Sequence, residues 1–249
     1  MSDDKTTHFG YREVPLEEKA KRVGSVFDSV ADRYDFMNDL MSGGLHRIWK
    51  RQTIGQTLLR PGHEVLDIAS GTGDLASLAL PRVGPEGRVV MSDINLSMLA
   101  RGRDRLIDEG VGDQAACVLA DAEELPFPDD TFDRVTIGFG LRNVTRKENA
   151  LAEMRRVLRP GGRAVILEFS HVYVSALRPF YDLYSFRIMP MMGKLVVNDS
   201  ESYRYLAESI RMHPEAPALK GMMEEAGFED CDYTLLTAGV AAIHTGWVY

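Results

Sequence analysis

Three carboxylates and a glycine-rich turn sit where they could hold a ligand. Asp67-Ile68-Ala69-Ser70-Gly71-Thr72-Gly73-Asp74 joins a short apolar run, Val65 to Ile68, to a helix-like run from Asp74 to Leu80. Asp93 ends the next apolar run, Arg88 to Ser92. Glycines in such a turn let backbone approach a ligand closely, because a Cβ there would block it. A carboxylate after the second strand can take both hydroxyls of a ribose, so the chemistry on offer is recognition of an adenosine.

Gly71, Gly73 and Ala76 satisfy the G-x-G-x-x-A form of the dinucleotide fingerprint. Asp67 and Asp74 argue against a pyrophosphate, which would meet negative charge where it normally uses helix N–H groups. Acidic groups suit a cationic, phosphate-free adenosyl ligand, and S-adenosylmethionine has a sulfonium, an ammonium and a ribose. The plainer alternative makes Asp67 and Asp74 turn and cap residues. A nicotinamide-dependent dehydrogenase and a non-catalytic adenosyl-binding module also remain open.

The elements that must position these residues alternate. Strands are expected at Val65–Ile68, Arg88–Ser92, Ala116–Leu119, Thr131–Ile137 and Arg163–Phe169, and helices at Asp74–Leu80, Ser97–Ile107 (capped by Ser97 or Asn95) and Lys147–Leu158. This pattern predicts an α/β fold with a parallel, doubly wound sheet and ligands beyond the carboxyl ends of its strands. Gly71, Asp93, Asp121, Gly138, Arg142 and Glu168 all fall at those ends. A last helix, Pro217–Ala226, precedes an antiparallel hairpin of Tyr233–Leu236 and Ala241–Trp247. One domain of 249 residues is expected: a helical cap over 1–60, a cofactor-binding core over 61–170, a substrate-pocket insertion over 171–213, and a closing helix and hairpin over 214–249.

Outside the core, residues 1–13 read as a polar, mobile start, and Pro15 to Arg33 as a helix. Residues 34–50 read as two short helices flanking Gly43-Gly44. They either cap the ligand edge or merely pack on it. Leu177 to Ile188 reads as a helix, within an apolar segment rich in Tyr and Met that suits the wall of a large pocket. The net charge of −8 argues against a nucleic-acid partner. Cys117 and Cys231 stand far apart without metal-ligand motifs, which suggests a reducing compartment and no metal. No signal-peptide core or membrane span is evident, so the expected location is the cytoplasm.

The chain resembles the class I S-adenosylmethionine-dependent methyltransferases, and within them the ubiquinone/menaquinone biosynthesis C-methyltransferases (the UbiE/MenG type). The resemblance rests on Tyr34-Asp35-Phe36-Met37-Asn38, His46-Arg47-Ile48-Trp49-Lys50 after Gly43, Gly138-Phe139-Gly140-Leu141-Arg142-Asn143-Val144, and residues 198–210. It implies a seven-stranded Rossmann-like sheet with helical caps, and S-adenosyl-L-methionine as cofactor. The cofactor contacts that the resemblance implies fall on Thr72, Asp93, Asp121, Ala122 and the position of Gly138; Asp67, Gly71, Gly73 and Ile94 join them as candidates from the glycine turn and the strand ends. Gly138 stands where the family usually has serine, so only a backbone contact remains there. Glu168-Phe169-Ser170-His171-Val172 also departs from the family's Glu-Phe-Ser-Lys-Pro.

The implied reaction is methylation of a ring carbon of a polyprenylated quinol. It needs the reduced ring, whose phenolate pushes electron density onto the ortho carbon, a group that takes the phenolic proton, and alignment of the reacting atoms. Arg142 would stabilise the phenolate and Asn143 orient a hydroxyl; alternatively, Arg142 only ties down its loop by a salt bridge. Asp35, His46, Asp199 and Tyr203 are the further base or orienting residues. Phe36, Met37, Met41, Tyr184 and Met189 to Met192 would wall in the tail. The implied partners are the quinol, a membrane surface in transient contact at the inner membrane, and a homodimer or a quinone-biosynthesis complex.

Overall fold

Val65, Leu66, Val89, Met91, Val135, Ile137 and the run Ala164 to Leu167 are almost wholly buried. Strands this apolar on successive positions must be covered on both faces, as in a parallel sheet flanked by helices. The computed structural model describes residues 6–30, 38, 39, 42–174, 179, 183–188, 191 and 200–249. In chain order they form β1 (Thr6–Phe9), β2 (Arg12–Pro15), α1 (Leu16–Val30), α2 (Leu45–Gln56), β3 (Glu64–Ile68), α3 (Asp74–Val83), β4 (Arg88–Asp93), α4 (Leu96–Asp108) and β5 (Ala115–Leu119). There follow β6 (Phe132–Gly138), α5 (Lys147–Arg156), β7 (Leu158–Phe169), α6 (Ser200–Met212), α7 (Ala216–Glu225), β8 (Glu229–Leu236) and β9 (Ala241–Trp247).

Seven strands form one sheet in the order β5-β4-β3-β6-β7-β9-β8. The pairs from β5 to β7 are parallel, and β9 joins β7 and β8 antiparallel. The order reverses at β3, which has β4 on one side and β6 on the other. That reversal opens a crevice beyond the carboxyl ends of β3, β4 and β6. On one side of the sheet Phe132, Leu151, Met154, Leu219 and Met223 pack together, bringing α5 and α7 onto it. On the other, Ile54, Leu80, Val83, Leu99 and Leu106 bring α2, α3 and α4.

The core elements follow the sequence expectation, with shifted ends. Asn95, not Ser97, caps α4: its side chain accepts the Met98 N–H at 3.0 Å. β7 starts at Leu158 rather than Arg163, because Leu158 pairs with Phe132 and the Gly161 N–H bonds Val248 at 2.7 Å. Four residues expected to end the helix are thus drawn into the sheet. Residues 6–15 are not a mobile start. They form an antiparallel hairpin, turned at Gly10 with φ 60°, whose Phe9 ring stacks on Tyr205 at 4.1 Å. The hairpin is held by tertiary contact, which a local reading of polar residues does not register. Residues 200–212, read in the sequence only as part of the pocket insertion and given no element there, are a helix that buries Tyr203, Tyr205, Ala207 and Ile210. Of the two short helices expected around Gly43-Gly44, α2 follows the break, whereas residues 34–37, 40 and 41 lie outside the described residues. Tyr184–Ile188 makes a single wide helical turn, and most of the expected helix before it lies outside them. No helix among the described residues is long and apolar enough to cross a membrane.

Asp67 is an acid buried inside this sheet. It is 1 % exposed, and one oxygen accepts the Thr136 hydroxyl at 2.7 Å while the other has no partner. Burial pushes its carboxyl from 3.8 up to about 7. Its contribution to stability is therefore full below about pH 3.8 and is lost as pH rises through about 7. Asp67→Asn should gain stability relative to the unmodified chain between those pH values, by roughly 4 kcal/mol at most; melting curves from pH 4 to pH 8 would check it. Phe132→Ala should cost about 3–5 kcal/mol, read by denaturant unfolding, since Phe132 is among the largest fully buried side chains.

Candidate functional site

Two turns at the switch point set the geometry. Ala69 follows β3 with φ 49° and Phe139 follows β6 with φ 59°, both in the left-handed region that side chains disfavour. The turns abut: a Cβ on Gly140 would stand 2.5 Å from the Ala69 Cβ, so only glycine fits. The β6 turn is held by Glu168 at the end of β7. One Glu168 oxygen accepts the Arg142 backbone N–H at 3.0 Å; the other accepts the Arg142 guanidinium at 2.9 Å and the Phe169 N–H at 2.8 Å. The guanidinium also donates to the Phe139 carbonyl and lies over the Phe169 ring. Arg142 thus ties down its loop, as the plainer sequence alternative held, and it also lines a cavity.

Two cavities meet at this turn. The first has about 850 Å³ of open space over the carboxyl ends of β3, β4 and β6. Gly71, Asp93, Ile94, Asp121, Ala122 and Gly138 line it. Asp93 accepts the N–H groups of Gly71 and Asn95, each at 2.8 Å, and so ties the glycine turn to the start of α4. Burial raises its pKa, opposed by those N–H groups. Helix α1 covers this cavity through Ala20, Val23, Gly24 and Phe27. It is fastened on both sides. Lys19 donates to the Val144 carbonyl at 3.2 Å, while Asp28 accepts from Asn95 at 2.9 Å and Ser97 at 2.7 Å.

Asp67, Thr72 and Gly73 are not among the residues lining this cavity. The acids that sequence reasoning weighed for a cationic ligand are thus used elsewhere: Asp67 inside the sheet, and Asp74 on Lys50 and, at 2.5 Å, on Arg105. Those two cations hold the Asp74 carboxyl down at about 2 against the opposing effect of burial. Asp93, Asp121 and Glu123 line the cavity instead, and no Lys or Arg does so among the described residues. A wall of carboxylates without a cation fits a positively charged adenosyl ligand and disfavours a phosphate. At Gly138 a Cβ would meet the Leu75 Cδ1 at 2.9 Å, so this turn is packed tightly around glycine.

The second cavity has about 1270 Å³ of open space and mostly apolar walls, which include Val26, Leu45, Trp49, Phe169, Tyr184 and Leu206. Of the residues singled out in the sequence, it brings together His46, Arg142, Asn143, Tyr184 and Tyr203. Asp35, Asp199, Phe36, Met37, Met41, Met189 and Met192 lie outside the described residues. His46 bonds Asp39 at 2.8 Å through Nε2, and its Nδ1 is enclosed without a partner. Burial lowers its pKa, so the ring is neutral at pH 7. Phe27, Phe139 and Asn143 line both cavities and form the wall between them.

Sequence reasoning passed over several of these residues. Lys50 lies on the second cavity and pairs with Asp74; the clustered rings of Trp49, Phe139 and Phe169 form its floor; Tyr205 bonds Asn143. The aromatic spacing of Trp49 and Tyr205 was visible, but their partners are remote in sequence.

Comparison with known proteins bears on the family and the fold. The sequence model of the ubiE/COQ5 methyltransferase family matches residues 16–248. A protein of Cellvibrio japonicus named ubiquinone/menaquinone biosynthesis C-methyltransferase UbiE is 59% identical over 246 residues, 99% of each chain. A protein of the same name from Methylococcus capsulatus is 59% identical over the full length of both. Among solved structures, a SAM-dependent methyltransferase from Aquifex aeolicus has a TM-score of 0.60 at 15% identity, covering 80% of this chain and 89% of its own. The [4+2]-cyclase SpnF has a TM-score of 0.67 at 17% identity, covering 92% and 96%. A cyclase on the same fold shows that fold alone does not fix the reaction. The family match and the full-length relatives go further: this chain belongs to the ubiE/COQ5 methyltransferase family.

Proposed function

We propose that the chain catalyses C-methylation of a polyprenylated quinol ring, demethylmenaquinol, 2-methoxy-6-polyprenyl-1,4-benzoquinol or both, with S-adenosyl-L-methionine as methyl donor. The observation that carries this reading is the pair of cavities divided by Phe27, Phe139 and Asn143: one is acidic and lies at the strand ends, the other is large and apolar. Bound in the first, S-adenosyl-L-methionine supplies an electrophilic methyl group. Asp93, Asp121 and the Gly71 turn would hold it, with α1 closing over it and keeping water out. A quinol ring at the dividing wall, with its tail along the apolar walls, would face that methyl group. Positioning of this kind can account for much of the rate.

Asn143 is the polar side chain of the dividing wall and orients the ring hydroxyl. Arg142 is already neutralised by Glu168, so it acts on a phenolate as part of a dipole rather than as a free cation. His46 takes the phenolic proton: it is neutral, fixed by Asp39, and its unpartnered Nδ1 can accept when a hydroxyl is seated against it. As the methyl passes from sulfur to the ring carbon, S-adenosylhomocysteine is left behind, and that carbon then sheds its own hydrogen as a proton, which restores the aromatic ring. The tail implies that substrate is drawn from a membrane surface by a cytoplasmic enzyme through transient contact. Assembly as a homodimer or in a quinone-biosynthesis complex belongs to the same reading.

The test is methyl transfer from labelled S-adenosyl-L-methionine to the two chemically reduced acceptors. Transfer to either supports the reading and names the acceptor; cofactor binding with transfer to neither overturns it. Arg142→Ala should cut turnover far more than cofactor affinity, as Arg142 does not line the cofactor cavity and reaches it only through the turn it holds. It should also cost about 3–5 kcal/mol of stability, because Glu168 is left buried and unpaired. Calorimetric titration and thermal unfolding separate these effects.

A further inference from the structure

Asn143 can serve as a donor to a ring oxygen only if its amide faces the right way. An amide has an acceptor end and a donor end, and in an open cavity it would turn between them. Here the Tyr205 hydroxyl donates to Asn143 Oδ1 at 3.0 Å. The acceptor end is thereby engaged, and the two Nδ2 hydrogens are left for the wall that both cavities share. Tyr205 is itself immobilised. It lies on α6, is 6 % exposed, and is covered by the Phe9 ring of the N-terminal hairpin, 4.1 Å away and within 14° of parallel. Burial raises its phenol to about 12, so it keeps its proton and remains a donor at working pH. The hairpin is fastened to the same helix: the Tyr11 N–H bonds Glu208 at 3.1 Å.

We infer that Tyr205 is a positioning residue for methyl transfer, and that the Phe9 hairpin, by clamping its ring, holds the Asn143 amide with its donor end toward the acceptor ring. This rests on the quinol reading above and adds to it a chain of contacts from the N-terminal strands to the reacting centre. Tyr205 touches neither reacting group through this bond; it acts through Asn143.

The experiment is a double-mutant cycle in the full-length chain, with the reduced quinol as acceptor. Tyr205→Phe keeps the ring stack and removes only the hydroxyl. It should lower kcat about tenfold, equivalent to 1.4 kcal/mol, with melting temperature and cofactor affinity close to those of the unmodified chain. Asn143→Ala should lose at least as much. Tyr205→Phe introduced on top of Asn143→Ala should cost nothing further, because its effect passes through the amide. Binding of the quinol with S-adenosylhomocysteine in place of the methyl donor gives a readout without turnover, and Tyr205→Phe should weaken it. Phe9→Ala should reproduce the Tyr205→Phe loss, and Phe9→Tyr should restore the rate. Losses that multiply in the double variant, or a Tyr205→Phe variant with full kcat, would overturn the positioning role while leaving the quinol reading intact. No transfer by the unmodified chain would remove that reading, and this inference with it.

Discussion

A buried charge has to be answered, and in this chain the answer shapes the site. Glu168 is 1 % exposed and Arg142 is 7 % exposed. Removing either group from water costs several kcal/mol, recovered only by close pairing and full hydrogen bonding. Glu168 meets that demand with two backbone N–H groups and the guanidinium; Arg142 adds the Phe139 carbonyl and leaves its buried Nε without a partner. Those bonds fix the turn from Phe139 to Asn143. The left-handed Phe139, the wall between the cavities and the placement of Asn143 all depend on it. The pair is better understood as the frame of the reacting centre than as a free cation aimed at substrate.

The same separation of roles governs the other acids. Asp74 and Lys50 pair and, with Arg105, join α2, α3 and α4; Asp67 is sealed in the sheet. Their charges are spent on the fold. Asp93 and Asp121 present their carboxyl groups to the cavity, while Glu123 on the same wall pairs with Arg146 at 3.7 Å and accepts the Thr145 and Arg146 N–H groups. Asp74 and Asp93 look alike in sequence, but neighbours remote in the chain assign one to the fold and leave the other at the cavity.

How much was legible follows from the range of the interactions. The parallel strands could be read because burial on both faces leaves continuous apolar runs, as in Val65 to Ile68 and Ala164 to Leu167. Gly71, Asp93, Asp121 and Gly138 could be placed because a doubly wound topology gathers strand ends at one edge. What escaped depends on tertiary partners. The hairpin needs Tyr205 and Glu208, some 200 residues away, and its own sequence is polar. α6 was passed over because its Ser and Tyr residues, weaker helix formers, stand among the Leu, Ala, Glu and Arg that favour helix. The use of Asp74 could not be seen without Arg105 beside it.

Ala69 and Phe139 hold left-handed backbone at the two strand ends that meet the ligand. Conformations of this kind cost about 1–3 kcal/mol each. The chain therefore stores strain at its reacting centre. Glycine would release it at Ala69, whereas at Phe139 the buried ring, packed on Trp49 and Phe169, outweighs the strain. Selection for heat resistance would find its easy gain at Ala69, and that gain would loosen the turn that abuts the wall between donor and acceptor. At this one residue, thermal robustness and catalytic competence pull in opposite directions.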